Sequence, residues 1–227
     1  MKLAWEDPIG GVGLVLLLVG EYMGLFATPN EQMMGDVVRI LYVHVPAAWV
    51  SLLAFSAAFI GAAGYLFSGR KVFDSVLEAS AEVGVVLGVL LMITGALFAR
   101  PTWGVYWTWD ARLTSTAIMV LTFFGVLVLR SLVEDPDRRA TWSAVVSIFA
   151  AINVPITYYS VDWWRSIHQM QSSAETISKP IHNVLMLNAL ALVLVTAWLV
   201  VKRWRLARLH ALAEEPEPLS DMGEEVA

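Results

Sequence analysis

Long uninterrupted apolar runs alternate with short polar intervals along the 227 residues, and no stretch shows the in-out alternation of a half-buried strand. Six runs reach the roughly 20 residues a helix needs to cross a bilayer: 10–27, 46–67, 76–99, 113–132, 142–159 and 181–201. A backbone in lipid must satisfy its own N–H and C=O groups within the segment, so continuous apolarity predicts helices and argues against barrel strands. The expected fold is an all-α integral membrane protein with six transmembrane helices, a membrane domain over residues 1–209. Polar and small residues inside the runs refine this. Gly61 and Gly64, then Gly84 and Gly88, read as close-packing positions between helices. Pro46 is expected at the start of the second helix, where its missing N–H costs nothing. Asn153 beside Pro155 predicts an interhelical hydrogen bond at a proline kink, and Glu21, near the end of the first run, calls for a partner.

Composition confirms the class: 58% hydrophobic and 15% charged residues, with mean hydropathy +0.65, exclude a soluble domain. Charge sets the orientation. If six helices alternate, Lys2, Arg70, Lys71, Arg130, Arg138, Arg139, Lys202, Arg203, Arg205 and Arg208 share one side, against Arg39, Arg100, Arg112, Arg165 and Lys179 on the other. Cations are retained in the cytoplasm, so both termini are expected there and the loop 100–112 on the periplasmic face of a bacterial cytoplasmic membrane. Phe26-Ala27-Thr28 lacks a small-x-small cleavage pattern and the n-region holds only Lys2, so the first run reads as a retained helix. Residues 210–227 turn acidic and proline-containing, the composition of a disordered cytoplasmic tail, and they carry most of the net charge of −5. The absence of cysteine excludes disulfides, thiolate metal sites and a CxxCH haem attachment signature. There is no Gly-rich phosphate loop and no internal repeat.

The chemistry gathers in the segments assigned to the periplasm. Residues 103–115, WGVYWTWDARLTS, place three Trp, one Tyr, one Asp and one Arg between two apolar runs. Indole faces offer broad rigid apolar surface and Arg112 can hold a carboxylate, which suits a planar molecule with an oily body and acidic edges, such as haem. An interfacial belt is the alternative, but a belt populates both faces, and the Trp and Tyr of this chain lie mostly at one. Arg39, Arg100 and Arg112 are the candidate partners for haem propionates. Asp110 precedes the fourth run, where it can cap the helix or orient Trp or Arg112.

An imidazole pair from opposite sides of the ring would complete a six-coordinate haem iron. His44, in RILYVHVPAA, and His168, in VDWWRSIHQ behind Trp163 and Trp164, lie on the same side as the Trp cluster. Spacing alone leaves His182, also on that side, as an alternative second ligand. His210 lies in the cytoplasmic basic segment and reads as a solvated bystander.

RILYVHVPAA, WGVYWTWDARLTS and YYSVDWWRSIHQ, in that order and over nearly the whole chain, resemble the CcmC family of WWD-domain membrane proteins, which handle haem in bacterial system I cytochrome c maturation. The resemblance implies that His44 and His168 are the two axial ligands of a non-covalent haem b. It also implies that Trp103, Gly104, Trp107, Trp109, Asp110, Arg112 and Leu113 form the Trp-rich signature. Tyr106 stands where relatives often have Trp, and His182 falls outside the motifs. The same resemblance implies delivery of haem to the chaperone CcmE, with CcmA, CcmB and CcmD as further partners, by a subunit that is not itself an enzyme. Two rival classes remain at this point: a b-type membrane cytochrome, which would be expected to keep its ligands within helices, and a small-solute transporter, which would need ionisable residues along a path.

Overall fold

The computed structural model describes residues 4–168 and 177–213; Ser172 and residues 214–227 of the expected acidic tail lie outside the described residues. Helix α1 (Asp7–Tyr22) ends in a single π-helical turn, Met23–Ala27. A 3-10 turn, Asp36–Ile40, leads into α2 (Leu41–Ser68), followed by α3 (Lys71–Trp103), α4 (Ala111–Leu132), α5 (Pro136–Ala151), α6 (Asn153–Trp163) and α7 (Lys179–Ala213). With α5 and α6 counted as one broken span, six helical stretches are long and apolar enough to cross a membrane, as the sequence predicts. This is a multi-pass membrane protein.

Several boundaries depart from the apolar runs, each for a local reason. Pro46 does not open α2; it sits more than a turn inside. The helix starts earlier because Val38, Leu41 and Tyr42 bury against Ile181, Val184 and Leu185 of α7. The cost is one backbone bond, since Pro46 cannot donate to the Tyr42 carbonyl. Helix α3 likewise runs through Pro101 to Trp103, so Arg100 and Trp103 are helical residues instead of loop residues. Helix α5 begins at Pro136 because Asp135 caps it, its carboxylate accepting from the Arg138 N–H at 2.7 Å. The fifth span then breaks at Ile152, where Pro155 denies the Ala151 carbonyl its helical donor. Asn153 bridges the kink to α4, its Nδ2 donating to the Ser115 carbonyl at 3.3 Å, which is the interhelical bond expected from sequence.

Helices α2 and α3 form a tightly packed hairpin at the centre. Gly61 permits it: a Cβ there would stand 2.6 Å from the Leu77 backbone nitrogen and 2.8 Å from the Phe73 carbonyl oxygen. Farther along, Phe55 and Phe123 stack with centroids 4.3 Å apart and tie α2 to α4. Helix α1 lies mainly against α7, where Gly20 meets the fully buried amide of Asn188.

At the end of the bundle where α1 begins and α7 ends, charges close the packing. Arg130 is buried and donates to both oxygens of Asp74, at 2.6 and 3.0 Å, and to Glu78 at 2.6 Å. Arg203 pairs with Glu82, Lys202 with Asp7 at 2.6 Å, and Arg205 with the buried Glu6 at 2.6 Å. Four of the cations that look like simple topology markers in the sequence, Arg130, Lys202, Arg203 and Arg205, are thus structural partners of acids on α3, on α1 and at its N-cap. A buried pair broken on one side is strongly destabilising, so this end is held rigid. The opposite end opens instead.

Candidate functional site

A cleft opens at the Trp-rich end, enclosing about 1100 Å³ of space that is continuous with solvent at its mouth. Four helices wall it. Helix α2 contributes His44, Ala48 and Trp49; α3 contributes Met92, Gly95, Phe98 and Trp103; α4 contributes Arg112, Leu113, Thr116 and Met119; α6 contributes Thr157 and Tyr158. Tyr106 and Trp107 of the α3–α4 loop, and His168 beyond α6, complete the mouth. Most of these groups are apolar and the polar ones are few and convergent, the usual composition of a site for a flat, largely apolar ligand.

Both imidazoles line this cleft, with ring centroids 6.5 Å apart and planes inclined by 29°. A nitrogen of imidazole binds a metal at about 2.0–2.1 Å and lies roughly 1.1 Å from its ring centre, so two rings on opposite sides of one iron have centroids about 6.2 Å apart. The observed spacing fits that arrangement to within a few tenths of an ångström. Among the described residues no group of three or more His, Asp or Glu could hold a bare metal ion. A porphyrin supplies four of its iron's six ligands and asks the protein for only two.

His44 is fixed within the bundle: its Nδ1 lies 3.0 Å from the Thr94 hydroxyl of α3. His168 is held differently. Asp110 caps α4 by accepting from the Arg112 N–H at 2.9 Å, and the same carboxylate accepts from the Ser166 hydroxyl and the Ile167 N–H, both at 3.0 Å. Ser166 Oγ in turn accepts from the His168 N–H at 3.0 Å. Asp110 therefore caps α4 as expected, and its further hydrogen bonds tie in the loop that carries His168, a role the sequence did not suggest. Partial burial pushes the Asp110 carboxyl up, but the hydrogen bonds from Ser166, Ile167, Arg112 and Leu113 outweigh it and hold the group below its usual range.

Trp103 stands beside His168, ring centroids 6.0 Å apart, and is braced edge-on by Phe98 at 5.9 Å. Its position at the end of α3 depends on Gly104, which caps the helix at φ +81° and donates to the Arg100 carbonyl at 3.0 Å. That left-handed conformation favours glycine, and it gives Gly104 a backbone role. Arg112 is anchored by donation to the Tyr158 carbonyl at 2.8 Å and to Ser160 Oγ at 3.3 Å, with Asp110 and Asp162 balancing its charge. It is the arginine that lines the cleft.

Of the residues singled out by sequence, His44, His168, Trp103, Tyr106, Trp107, Arg112 and Leu113 line the cleft. The others do not. Trp109 is 84% exposed and meets Trp107 edge-on at 5.9 Å. Trp163 stacks on Tyr159 at 5.4 Å, with Trp164 against it at 5.8 Å, both exposed. Arg100 lies over the Tyr106 ring at 5.7 Å. Arg39 is spent on Asp36, Asn30 and the carbonyls of Gly24 and Leu25, closing the loop after α1. His182 sits in the first turn of α7, away from the cleft lining. Sequence reasoning missed Trp49, Met92, Phe98, Met119 and Tyr158, which are indistinguishable from other apolar helix residues until the helices are packed. Thr94 did carry a signal, as the one polar side chain in an otherwise apolar stretch of α3, VLLMITGALF.

A family model described as heme exporter protein C matches residues 3–217 of this chain. The chain is 40% identical over 159 residues to "Heme exporter protein C" of Bradyrhizobium diazoefficiens, covering 70% of this chain and 60% of that protein's length. It is 33% identical over 208 residues to the protein of the same name from Haemophilus influenzae, covering 89% of this chain and 84% of that one. Against "Heme exporter protein C" of Escherichia coli K12 the identity is 30% over 220 residues, covering 94% and 87%.

Proposed function

This chain belongs to the heme exporter protein C family, and from that premise we propose that it binds haem b, without covalent attachment, between His44 and His168 at the periplasmic face of the bacterial cytoplasmic membrane. It then hands the haem to the chaperone CcmE for cytochrome c maturation, in an assembly with CcmA, CcmB and CcmD. Both termini lie in the cytoplasm on this reading. The observation that carries it is the imidazole pair, 6.5 Å apart in a largely apolar cleft.

The division of labour follows from the residues. His44 and His168 would hold the haem iron through their imidazole nitrogens. Trp103, Trp107 and Tyr106 give the macrocycle apolar contact area, and Arg112 supplies the cation for a propionate. Asp110 holds the loop that carries one ligand, while the other is built into the helix bundle. On this reading the chain acts as a binding and delivery subunit, and nucleotide chemistry belongs to its partners.

The test is a visible spectrum of the purified protein, followed by transfer to CcmE. A six-coordinate low-spin haem is expected, lost in His44→Gly and His168→Gly, partly restored by millimolar imidazole, and unaffected in His182→Gly. Millimolar rescue follows because a short tether supplies an effective concentration on the order of millimolar. Haem that is retained in both variants, or that cannot be passed to CcmE, would overturn the proposal; the second result would favour a b-type cytochrome.

A further inference from the structure

We propose that Thr94 is a positioning residue of this site: its hydroxyl fixes His44 as the Nδ1–H tautomer and so reserves Nε2 for iron. The proposal rests on the haem-binding reading above, but its first measurement does not require haem.

A threonine hydroxyl has one hydrogen and two lone pairs. Thr94 lies one helical turn above Leu90 and donates to the Leu90 carbonyl at 2.8 Å, with the Leu91 carbonyl at 3.2 Å. With its hydrogen committed to its own helix, the hydroxyl oxygen can only accept from a further neighbour. That neighbour is His44 Nδ1, at 3.0 Å, fifty residues away on α2. The imidazole must therefore be the donor at Nδ1. A neutral imidazole carries a single N–H, so Nε2 is left with its lone pair.

Back-bonding of a threonine to its own helix is common and by itself does nothing beyond that helix. What distinguishes Thr94 is the second contact, made across a helix boundary to a group the site uses. The next residue completes the clamp: a Cβ at Gly95 would stand 3.0 Å from His44 Cε1, so glycine leaves the ring the space it occupies. An acceptor behind the distal N–H orients the ring and raises the basicity of the coordinating nitrogen, as it does at other histidine–metal sites. The loop that carries His168 hangs on Asp110.

The experiment uses the full-length protein labelled with ¹⁵N-histidine, in detergent and without haem, at about pH 8, above the usual imidazole value near 6.5. Long-range ring correlations should show His44 protonated at Nδ1. Thr94→Ser should keep that pattern, and the isosteric Thr94→Val should lose it. After loading with haem, Thr94→Val should retain it about tenfold less tightly and shift the iron to a higher reduction potential, with Thr94→Ser close to the parent. An Nε2–H tautomer in the parent overturns the assignment whether or not Thr94→Val folds, as does a Thr94→Val protein with the parent's ¹⁵N pattern. If His44→Ala binds haem as the parent does, the haem-binding reading fails instead, and with it the role given to Nε2.

Discussion

Replacing Asp110 by Asn separates its two roles. The Asp110 carboxylate accepts from the Arg112 N–H at the start of α4, and from the Ser166 hydroxyl and Ile167 N–H in the loop that carries His168. Asn caps a helix about as well as Asp, so α4 should begin where it does now. The amide has one acceptor oxygen and no charge, so it cannot serve both the cap and the Ile167 N–H. Hydrogen bonds to a charged group contribute roughly 1.5–3 kcal/mol, and the lost bond from the Ile167 N–H, at this partly exposed position, is assigned about 2 kcal/mol. At 1.4 kcal/mol per tenfold, the loop should open about 30-fold more often. Amide hydrogen exchange at Ile167 and His168 in the haem-free protein reads this directly, because no iron–histidine bond then holds the loop. The pH dependence has a defined sign. The folded carboxyl lies below its usual value of 3.8, so the latch is fully present above that pH and is lost as pH falls through the lower, folded value. Haem-loaded Asp110→Asn should show a weakened six-coordinate spectrum that added imidazole restores. Parent-level exchange at Ile167 in Asp110→Asn would refute the latch.

Other consequences follow from the packing and the orientation. Arg130→Met should lower stability by about 3–5 kcal/mol because Asp74 and Glu78 keep buried charge without a partner; an unchanged thermal midpoint in detergent would contradict this, and adding Asp74→Asn should recover part of the loss. Trp103→Ala should cost more bound haem than Trp109→Ala, since Trp103 lines the cleft and Trp109 is exposed, and Trp107→Phe should be milder than Trp107→Ala because most of the apolar face survives. Equal haem per protein in all of these would reduce the cluster to an interfacial belt. Reporter fusions at Lys71 and Arg138 should read cytoplasmic and fusions at Asn30 and Thr108 periplasmic; a cytoplasmic Thr108 would invert the proposed topology.

The apolar runs alone determined that this chain is a bundle of six membrane-spanning helices, because in lipid each segment must satisfy its own backbone and the requirement is met locally, within about 20 consecutive residues. The kink at Asn153 and Pro155, the cap at Asp110 and the close approach at Gly61 were legible for the same reason: each depends on a residue type whose backbone or side-chain chemistry acts over one turn or one contact. The motifs around His44, Trp103 and His168 marked the ends of the elements where chemistry belongs. What only the tertiary structure decided is which of those marked residues meet. Arg39 and Arg112 look alike as cations beside apolar runs, yet one closes a loop on α1 and the other lines the cleft. Arg130 reads as a topology marker and is a buried partner of two carboxylates on another helix. Thr94 and His44 are separated by fifty residues, and nothing local ties them. Their contact exists because glycines let α2 and α3 pack closely at one helix register, and in a chain where nearly every helix face is apolar, hydropathy does not specify that register; interdigitating side chains do.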